Sequence, residues 1–471
     1  MPRIIVIGAG ITGLVAAREL TRVPDLDVVC LEAGSRPGGQ VQTVDIDGAA
    51  VDVGAEAIHL GAPHVAALVR ELGLDTSAVG AAPGGSVMAT RKGLRPLPAG
   101  VGPTGPTRIW PVLTSGILTL PGLLRAGLEP VMARRRISQD TSVGSFTTAR
   151  FGREVTQTFV DPLLGNLHGG DVEQLSLRST APQLVPDARD GVSLLLKNLK
   201  RRRAGRQATA AGRPGGEPMP MFATWPGGLA TFTDALAAEL GDALRLASPA
   251  AALHRDGEGW QVELADGERL AAEHVLLTTP GPVSARLLRP HSAVAADALD
   301  AVQMVSVATV LLGYDPAAAA SNRTLREHNG LLLPSNRVRT FKAATNLSRK
   351  WPTLGARHHL LRASVGRAGS KLVDQLDDEQ LAGRVADEIG ELTGLGARPQ
   401  LQQVFRWPDA MPQLTVGHAE RVARMRSALE QLGGLTVAGC SVDGLGIGST
   451  VRSGQQAART IISTYNQSEE S

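Results

Sequence analysis

The most constraining feature of the sequence is a glycine-rich turn that joins an apolar strand to a helix at the start of the chain. Arg3–Ile7 is rich in β-branched residues, and the G-x-G-x-x-G pattern of residues 8–13 follows at once. Gly8 permits a sharp turn, Gly10 lets the backbone approach a pyrophosphate and Gly13 lets the helix pack against the strand. We therefore expect a dinucleotide-binding unit here.

An acidic residue lies at the distance that such a unit requires. Residues 28–31 predict a second strand, which ends at Glu32, 24 positions after Gly8. A carboxylate at the end of this strand can accept hydrogen bonds from a ribose diol. The pattern favours an adenine dinucleotide without a 2′-phosphate.

The residues that follow Glu32 narrow the choice of cofactor. The segment 32–39, E-A-G-S-R-P-G-G, resembles the E-x-x-x-R-x-G-G extension of FAD enzymes related to amine oxidases, phytoene desaturases and protoporphyrinogen oxidases. Arg36 offers a cation beside the diphosphate, and Gly38 and Gly39 offer amides without side chains. The resemblance implies FAD, whereas the glycine turn alone would not distinguish FAD from NAD.

Composition excludes some classes of protein. The chain has 471 residues, of which 43% are hydrophobic and 20% charged, enough for two or three globular domains. A net charge of +3 is too small an excess to predict a polyanionic partner, and 3% aromatic residues argue against a base-stacking surface. We expect no nucleic-acid partner.

The sequence favours a cytoplasmic protein with no metal site. Cys30 and Cys440 both fall in predicted buried strands, as expected for thiols in a reducing compartment. The N-terminus enters a strand directly, which leaves no room for a signal peptide. Residues 109–128 form the longest apolar stretch, but prolines and Arg125 interrupt it, so we expect a buried helical pair or the lining of an apolar substrate site. The histidines show no metal-ligand spacing.

The strand and helix signals predict an α/β and α+β chain in three parts. Strand patterns disappear over residues 104–200 and resume near residue 225. We predict a Rossmann-like, discontinuous FAD-binding domain, a mixed-sheet substrate domain and a helical insertion. Their expected ranges are 1–55, 225–285 and 432–465 for the first, 56–90 and 286–431 for the second, and 91–224 for the third, with a flexible loop at about 200–221.

The C-terminal region repeats the strand, glycine turn and helix of the N-terminus. Residues 435–439 predict a strand, and a helix is expected from residue 451. The backbone amides of Gly446 and Ile447, with the positive end of that helix, would stabilise negative charge on a reduced flavin. We expect the two ends of the chain to close one cofactor site.

Several motifs from the middle of the chain make the resemblance more specific. They are G-N-L-H-G-G-D at 165–171, L-S-L-R-S-T at 175–180, W-P-G-G-L at 225–229, W-P at 351–352, R-W-P at 406–408 and V-D-G-L-G-I at 442–447. In order and spacing they resemble the bacterial protoporphyrinogen/coproporphyrinogen oxidase family. This implies an oxygen-dependent haem-synthesis enzyme that removes six electrons from a porphyrinogen and releases hydrogen peroxide.

The resemblance leaves three points open. Coproporphyrinogen III suits this chain, protoporphyrinogen IX is the nearer alternative, and an FAD-dependent oxidase of an amine or polycyclic metabolite is a more distant one. Peripheral contact with a membrane is a further open alternative. The oligomeric state is not predicted.

The resemblance also assigns residues to the cofactor. Ala250 is expected beside adenine and Trp407 beside the flavin ring, while Gly227 and Gly228 let a loop pass close to the ring. The full set of predicted cofactor residues is Gly8, Gly10, Ile11, Thr12, Gly13, Glu32, Ala33, Arg36, Gly38, Gly39, Gln40, Ala250, Trp407, Gly439, Gly446 and Ile447.

Two segments expected to face the substrate depart from the family pattern. The family often has G-P-x-S-F where residues 54–58 read G-A-E-A-I, and an aromatic residue before A-G-D where residues 167–171 read L-H-G-G-D. Glu56 is our candidate for accepting a pyrrole proton near the flavin. Propionates need cations, and the turn that carries Arg91, Lys92 and Arg95 supplies our candidates. Gly227 and Gly228 complete the predicted set of substrate residues.

Overall fold

The computed structural model describes residues 1–210, 219–257, 259–337 and 340–469. Its strands are β1 Arg3–Ile7, β2 Asp27–Leu31, β3 Thr43–Ile46, β4 Ala49–Asp52, β5 Ile58–His59, β6 Val79–Gly80, β7 Gly85–Thr90, β8 Gly93–Pro96, β9 Val101–Gly102, β10 Gly105–Pro106, β11 Phe222–Thr224, β12 Leu244–Arg245, β13 Ala250–Asp256, β14 Gly259–Leu264, β15 Arg269–Ala272, β16 His274–Leu277, β17 Met304–Tyr314, β18 His328–Leu332, β19 Phe341–Asn346, β20 His359–Val365, β21 Leu401–Pro412 and β22 Leu435–Val437.

The α-helices are α1 Ile11–Thr21, α2 Pro63–Glu71, α3 Ile109–Thr114, α4 Leu120–Gly127, α5 Glu129–Met132, α6 Val143–Phe151, α7 Arg153–Val155, α8 Asn166–His168, α9 Leu177–Thr180, α10 Val185–Asp190, α11 Leu194–Ala210, α12 Ala230–Leu240, α13 Gly281–Leu288, α14 Ala293–Asp300, α15 Pro316–Ser321, α16 Arg323–Glu327, α17 Leu347–Lys350, α18 Leu372–Gln375, α19 Asp378–Thr393, α20 His418–Leu432, α21 Cys440–Asp443 and α22 Ile447–Glu469. A π-helix, Thr156–Gly165, joins α7 to α8.

A five-stranded parallel sheet forms the first layer of the fold. Its strand order is β12-β2-β1-β16-β22, with the buried Ile5 of β1 opposite both Val29 and Val275. Helices α1, α2, α12 and α22 cover one face, and α13, α14 and α20 with the β13–β15 meander cover the other. Apolar runs in the central strands fit a sheet buried on both sides. The predicted Rossmann-like sheet is confirmed.

The two ends of the chain pack against each other, as the sequence predicts. Thr12 of α1 donates a hydrogen bond from Oγ1 to the carbonyl of Thr450 on α22, at 3.2 Å. Gly454 lies so close to α1 that a Cβ atom at this position would be 2.4 Å from the carbonyl oxygen of Thr12. Only a residue without a side chain allows this approach of the two helices.

A seven-stranded mixed sheet forms the second layer. Its order is β21-β17-β20-β19-β18-β7-β8; β18 and β7 run parallel and the other neighbours antiparallel. One face packs on α19, and the other meets the β3–β4 hairpin around Leu311, Leu360 and Trp351. The mixed sheet agrees with the predicted fold class, whereas the domain boundaries stay a prediction.

The predicted helical insertion contains α3–α11 around its own apolar core, but two details differ from expectation. The helical pair α3 and α4 forms within residues 109–128, yet Trp110 is 74% exposed and Leu120 70%, so the pair is not buried. The predicted loop at about 200–221 is helical as far as Ala210, and its residues 211–218 lie outside the described residues.

The environment of one cysteine also differs. Cys30 is buried in β2 as expected, but Cys440 begins the short helix α21 instead of lying in a strand, because β22 already ends at Val437. Both are free thiols. Within the described helices, none is long and apolar enough to cross a lipid bilayer.

The contact between α1 and α22 gives a direct test. We expect Gly454→Ala to lower the free energy of unfolding by about 1–3 kcal/mol, because the added Cβ must push the two helices apart. Gly383→Ala in α19 is the matched control; a Cβ there meets nothing within 4 Å, and alanine favours a helix by about 0.5–1 kcal/mol over glycine. Denaturant unfolding measures both, and a Gly454→Ala variant as stable as the Gly383→Ala control would contradict the packing.

Candidate cofactor and substrate site

The glycine turn after β1 has the geometry that the sequence predicts. Gly8 has a φ of +105°, and a Cβ atom on Gly13 would lie 1.8 Å from the carbonyl oxygen of Gly8. Helix α1 begins after Gly10 with no side-chain cap, and a Cβ on Gly10 would meet nothing within 4 Å. The first amides of α1 therefore face open space, which suits a diphosphate.

The segment after β2 folds onto this turn. Glu32 accepts hydrogen bonds from the backbone amides of Ala9 and Gly34, both at 2.8 Å. The amide of Gly38 donates to the carbonyl of Ala9, and a Cβ on Gly39 would lie 3.3 Å from the Cα of Gly10. The glycine turn and the segment 32–39 thus meet without intervening side chains.

Arg36 and its neighbours hold this segment in shape. The guanidinium donates to the carbonyls of Gly39 and Val41, at 2.8 and 2.9 Å, so it braces its own loop. Gln40 donates from Nε2 to the carbonyl of Ala410 at 2.6 Å, while Ala33 is exposed. These contacts join the nucleotide segment to the end of β21.

The C-terminal turn brings a second helix N-terminus to the same place. Gly446 has a φ of +103° directly before α22, and a Cβ there would meet nothing within 4 Å. Ile447 is the first residue of α22. Gly439 has a φ of +118°, and its Cβ would lie 3.7 Å from Oγ1 of Thr12. Two positive helix ends therefore lie side by side.

Trp407 and Ala250 each lie beside a segment of this region. Trp407 on β21 pairs with Val307 on β17, and its Cη2 atom lies 3.2 Å from the position that a Cβ of Gly54 would take. The indole Nε1 of Trp407 is buried and has no hydrogen-bond partner among the described residues. Ala250 begins β13, and the preceding Ser248 amide donates to the carbonyl of Glu32. Uncapped helix ends, an acid beside them and an unpaired indole N–H fit a flavin dinucleotide.

Glu56 is held by cations, which does not suit the hypothesis that it accepts a proton. Its carboxylate receives hydrogen bonds from Nζ of Lys350 at 2.6 Å, Nε1 of Trp351 at 3.2 Å and a guanidinium nitrogen of Arg362 at 3.1 Å. Burial would raise its pKa, but Lys350 and Arg362 outweigh burial and hold the pKa at about 2. The geometry favours a positioning role for Glu56.

The structure does not bring the three predicted substrate cations to this region, whereas Gly228 lines the same cavity as Glu56. Arg91, Lys92 and Arg95 are exposed on the β7–β8 hairpin, and five strands separate β8 from β21, which carries Trp407. Gly228 has a φ of +75°, and a Cβ there would lie 2.4 Å from Thr43, so it packs on the β3–β4 hairpin. A Cβ on Gly227 would meet Thr231 at 2.9 Å.

Instead, three basic residues that the sequence analysis missed lie together on β19 and β20 and in the loop after β20. We call Lys342, Arg362 and Arg367 the cationic cluster. Arg362 pairs with Glu56, and Arg367 pairs with Asp161 at 3.3 Å. Lys342 is the second residue of β19, a central strand with no other charged residue. A lysine in such a strand was the sequence signal that could have pointed to this cluster.

Histidines do not add a metal site to this arrangement. Within the described part of the chain, no three His, Cys, Asp or Glu side chains lie close enough to hold a metal ion. His168 is 5% exposed, and burial together with the nearby Lys342 lowers its pKa to about 4.

The comparisons with known proteins agree with this geometry. The sequence model described as flavin containing amine oxidoreductase matches residues 11–462. The chain belongs to this family. Its cofactor is FAD, and it is an FAD-dependent oxidoreductase.

Individual relatives match over nearly the whole chain. Coproporphyrinogen III oxidase of Propionibacterium freudenreichii is 33% identical, over 98% of this chain and 90% of the relative, and that of Bacillus subtilis is 30% identical over 96% of each. A crystal structure from Exiguobacterium sp. 255-15, provisionally assigned by its name as a protoporphyrinogen oxidase, superposes with a TM-score of 0.84 at 27% identity, over 98% of both chains.

Glu56 gives a test that separates its two roles. We expect Glu56→Gln to lower the free energy of unfolding at pH 7 by about 3 kcal/mol, because Lys350 and Arg362 lose their shared counter-charge. The folded-state pKa of about 2 lies below the ordinary 4.5, so the stabilisation is present above about pH 4.5 and is lost as the pH falls towards 2. Unfolding curves from pH 2 to 7 measure it.

The control for this prediction is Glu430→Gln, an exposed position on α20. A positioning role predicts that Glu56→Gln loses its stability difference at low pH while Glu430→Gln shows none. If Glu56→Gln kept full stability and bound FAD but slowed flavin reduction by substrate, the proton-acceptor hypothesis would be correct instead.

Proposed function

We propose that this chain is an oxygen-dependent coproporphyrinogen III oxidase of haem biosynthesis. The observation that carries the proposal is the full-length similarity to proteins of this name at about 30% identity. In the proposed reaction, coproporphyrinogen III loses six electrons and six protons, and three molecules of O₂ become three of hydrogen peroxide. Protoporphyrinogen IX is the alternative within the same chemistry.

The residues of the chain have separate tasks in this proposal. We assign the diphosphate to the amides of residues 8–13, a ribose to Glu32 and the adenine to the neighbourhood of Ala250. Trp407 and the amides of Gly446 and Ile447 are assigned to the flavin ring, and the loop of residues 227–228 is expected to pass close to it. Bound FAD supplies the acceptor for the hydride that leaves a bridging methylene.

The electrostatics of the site support a carboxylate substrate over an amine. Arg362 and Arg367 each have a carboxylate partner, but Glu56 is shared with Lys350, and Lys342 has no ion-pair partner among the described residues. A substrate ammonium would add to this positive charge, whereas propionates would compensate it. This disfavours the amine-oxidase alternative, although the amine oxidases share the fold at TM-scores of 0.67–0.69.

Anaerobic mixing tests the proposed reaction. We expect coproporphyrinogen III to bleach the flavin absorption band of the purified holoenzyme, and readmission of O₂ to restore the band with formation of hydrogen peroxide. Putrescine and cyclohexylamine serve as amine controls. Bleaching by an amine and by neither porphyrinogen would support the alternative, and colourless protein that takes up no FAD would contradict both.

We further propose that the insertion contacts a membrane surface. The spacing of Leu120, Leu124 and Leu128 places them along one side of α4, where they are 70%, 66% and 49% exposed. Trp110 is 74% exposed nearby in sequence, and the exposed residues 134–136 are all arginines. Apolar side chains flanked by cations match the interface of an anionic bilayer. The two free thiols accord with a cytoplasmic location.

Sedimentation with vesicles tests this contact. We expect binding to phosphatidylcholine vesicles that contain phosphatidylglycerol, weaker binding to pure phosphatidylcholine, and loss of binding in the Leu120→Glu, Leu124→Glu double variant. Val294→Glu, at a 55% exposed position of α14, is the control. Unchanged vesicle binding in the double variant, or a dimer that this variant dissociates, would reject the membrane proposal.

A further inference from the structure

Lys342 is a buried base for which the fold itself offers no counter-ion. It lies on β19, the central strand of the seven-stranded sheet, and its side chain is 3% exposed. No hydrogen bond or ion pair of its Nζ joins it to another described residue. Burial, together with the positive charges of Arg367 and Arg362, lowers the pKa of its ammonium to about 7. An unpaired cation at this depth is costly unless a ligand compensates it.

The residue that lies against the ammonium, Gly169, has no side chain. Gly169 has a φ of +56°, and a Cβ there would lie 3.3 Å from Nζ of Lys342 and 3.7 Å from methyl groups of Met411 and Val307. Two backbone hydrogen bonds hold this turn: the Gly169 carbonyl accepts from the Ala368 amide, and the Gly169 amide donates to the Asn166 carbonyl. Nζ of Lys342 and the Val307 side chain both lie against Gly169, and Val307 pairs with Trp407 on the neighbouring strand. Lys342 therefore reaches the face of the sheet that carries Trp407, the residue assigned to the flavin ring.

Other buried polar atoms around the lysine also lack partners. Among the described residues these include Nη1 of Arg367, Nε of Arg362, Nδ1 of His168 and Oδ1 of Asn166. Native proteins rarely leave such atoms unpaired at adjacent positions. All but the amide oxygen are nitrogens, and the two arginines contribute donors. The cluster therefore suits an anion with several acceptor oxygens, such as a carboxylate.

We propose that Lys342 and Arg367 bind a propionate of the substrate and thereby select coproporphyrinogen III over protoporphyrinogen IX. The proposal rests on the proposed porphyrinogen oxidation. Coproporphyrinogen III has four propionates, whereas protoporphyrinogen IX has vinyl groups in place of two of them. A vinyl group beside Lys342 leaves the cation desolvated and unpaired, and a site built for a charged partner rejects the analogue that lacks it.

Lys342→Met tests the selection, because methionine has a similar length but no charge. We expect the ratio of kcat/KM for coproporphyrinogen III to that for protoporphyrinogen IX to fall by about 10–150-fold, the range for one lost hydrogen bond to a charged group. We expect this fall to arise mainly from a higher KM for coproporphyrinogen III. Lys371→Met, at an exposed position, is the matched control. FAD content and thermal stability should be unchanged or higher, because an unpaired buried charge is removed.

A binding measurement provides a readout apart from turnover. Coproporphyrin III should bind the oxidised wild-type holoenzyme more weakly at pH 8.5 than at pH 6.5, because Lys342 loses its proton in this interval. The groups that face it are His168, which is already neutral, and Arg362 and Arg367, which keep their charge, with Glu56 and Asp161 behind the arginines. The Lys342→Met variant should lose this pH dependence.

The outcomes separate this proposal from the proposed function. If wild-type protein oxidises coproporphyrinogen III but Lys342→Met leaves the substrate ratio and the pH dependence unchanged, the assignment of Lys342 is wrong and the function stands. An equal loss on both substrates also rejects selection by Lys342. If neither porphyrinogen reduces the flavin of the wild-type protein, both proposals fail.

Discussion

The close packing of α22 on α1 is the contact on which the cofactor site depends. Thr12 and Gly454 allow the helices to approach without an intervening side chain, so the N-terminal turns of both helices lie at the same end of the parallel sheet. Each turn presents a glycine, Gly10 or Gly446, with open space in front of it. The long middle of the chain can therefore fold as a detour without disturbing the nucleotide end, because strands β16 and β22 return to β1 in parallel.

Negative charge is accommodated in two different ways at the two ends of the site. Near the glycine turns, backbone amides and helix dipoles face the space for the diphosphate, and Arg36 is occupied with its own loop. On the mixed sheet, side-chain cations provide the charge, and burial makes the lysine sensitive to the presence of a partner. Backbone dipoles cannot be neutralised by proton loss, whereas Lys342 can be. We therefore expect a pH dependence near neutrality at the substrate end, where Lys342 lies, and none from the backbone dipoles at the cofactor end.

Sequence patterns predicted the features that local interactions determine. The glycine turn at 8–13, strands β1 and β2 and helix α1 all follow from residues close together in the chain. The β7–β8 hairpin was also expected, but its distance from Trp407 depends on the order of seven strands, which no local pattern contains. Membership of the cationic cluster depends likewise on long-range strand pairing. The solvent exposure of α4 was not predicted, because an apolar pattern identifies a hydrophobic face but does not show whether another part of the protein covers it.

The two segments that depart from the family pattern, residues 54–58 and 167–171, both contact the cationic cluster. In the first segment, Glu56 accepts hydrogen bonds from Lys350 and Arg362. In the second, Gly169 lies against Nζ of Lys342 and has no side chain that would crowd it. Arg362 and Lys342 lie on neighbouring strands and affect each other electrostatically. The first segment thus compensates part of the positive charge, and the second leaves one cation free to meet a ligand. A change in either segment would alter the charge that remains for a substrate, so the departures bear on substrate preference more than on cofactor binding.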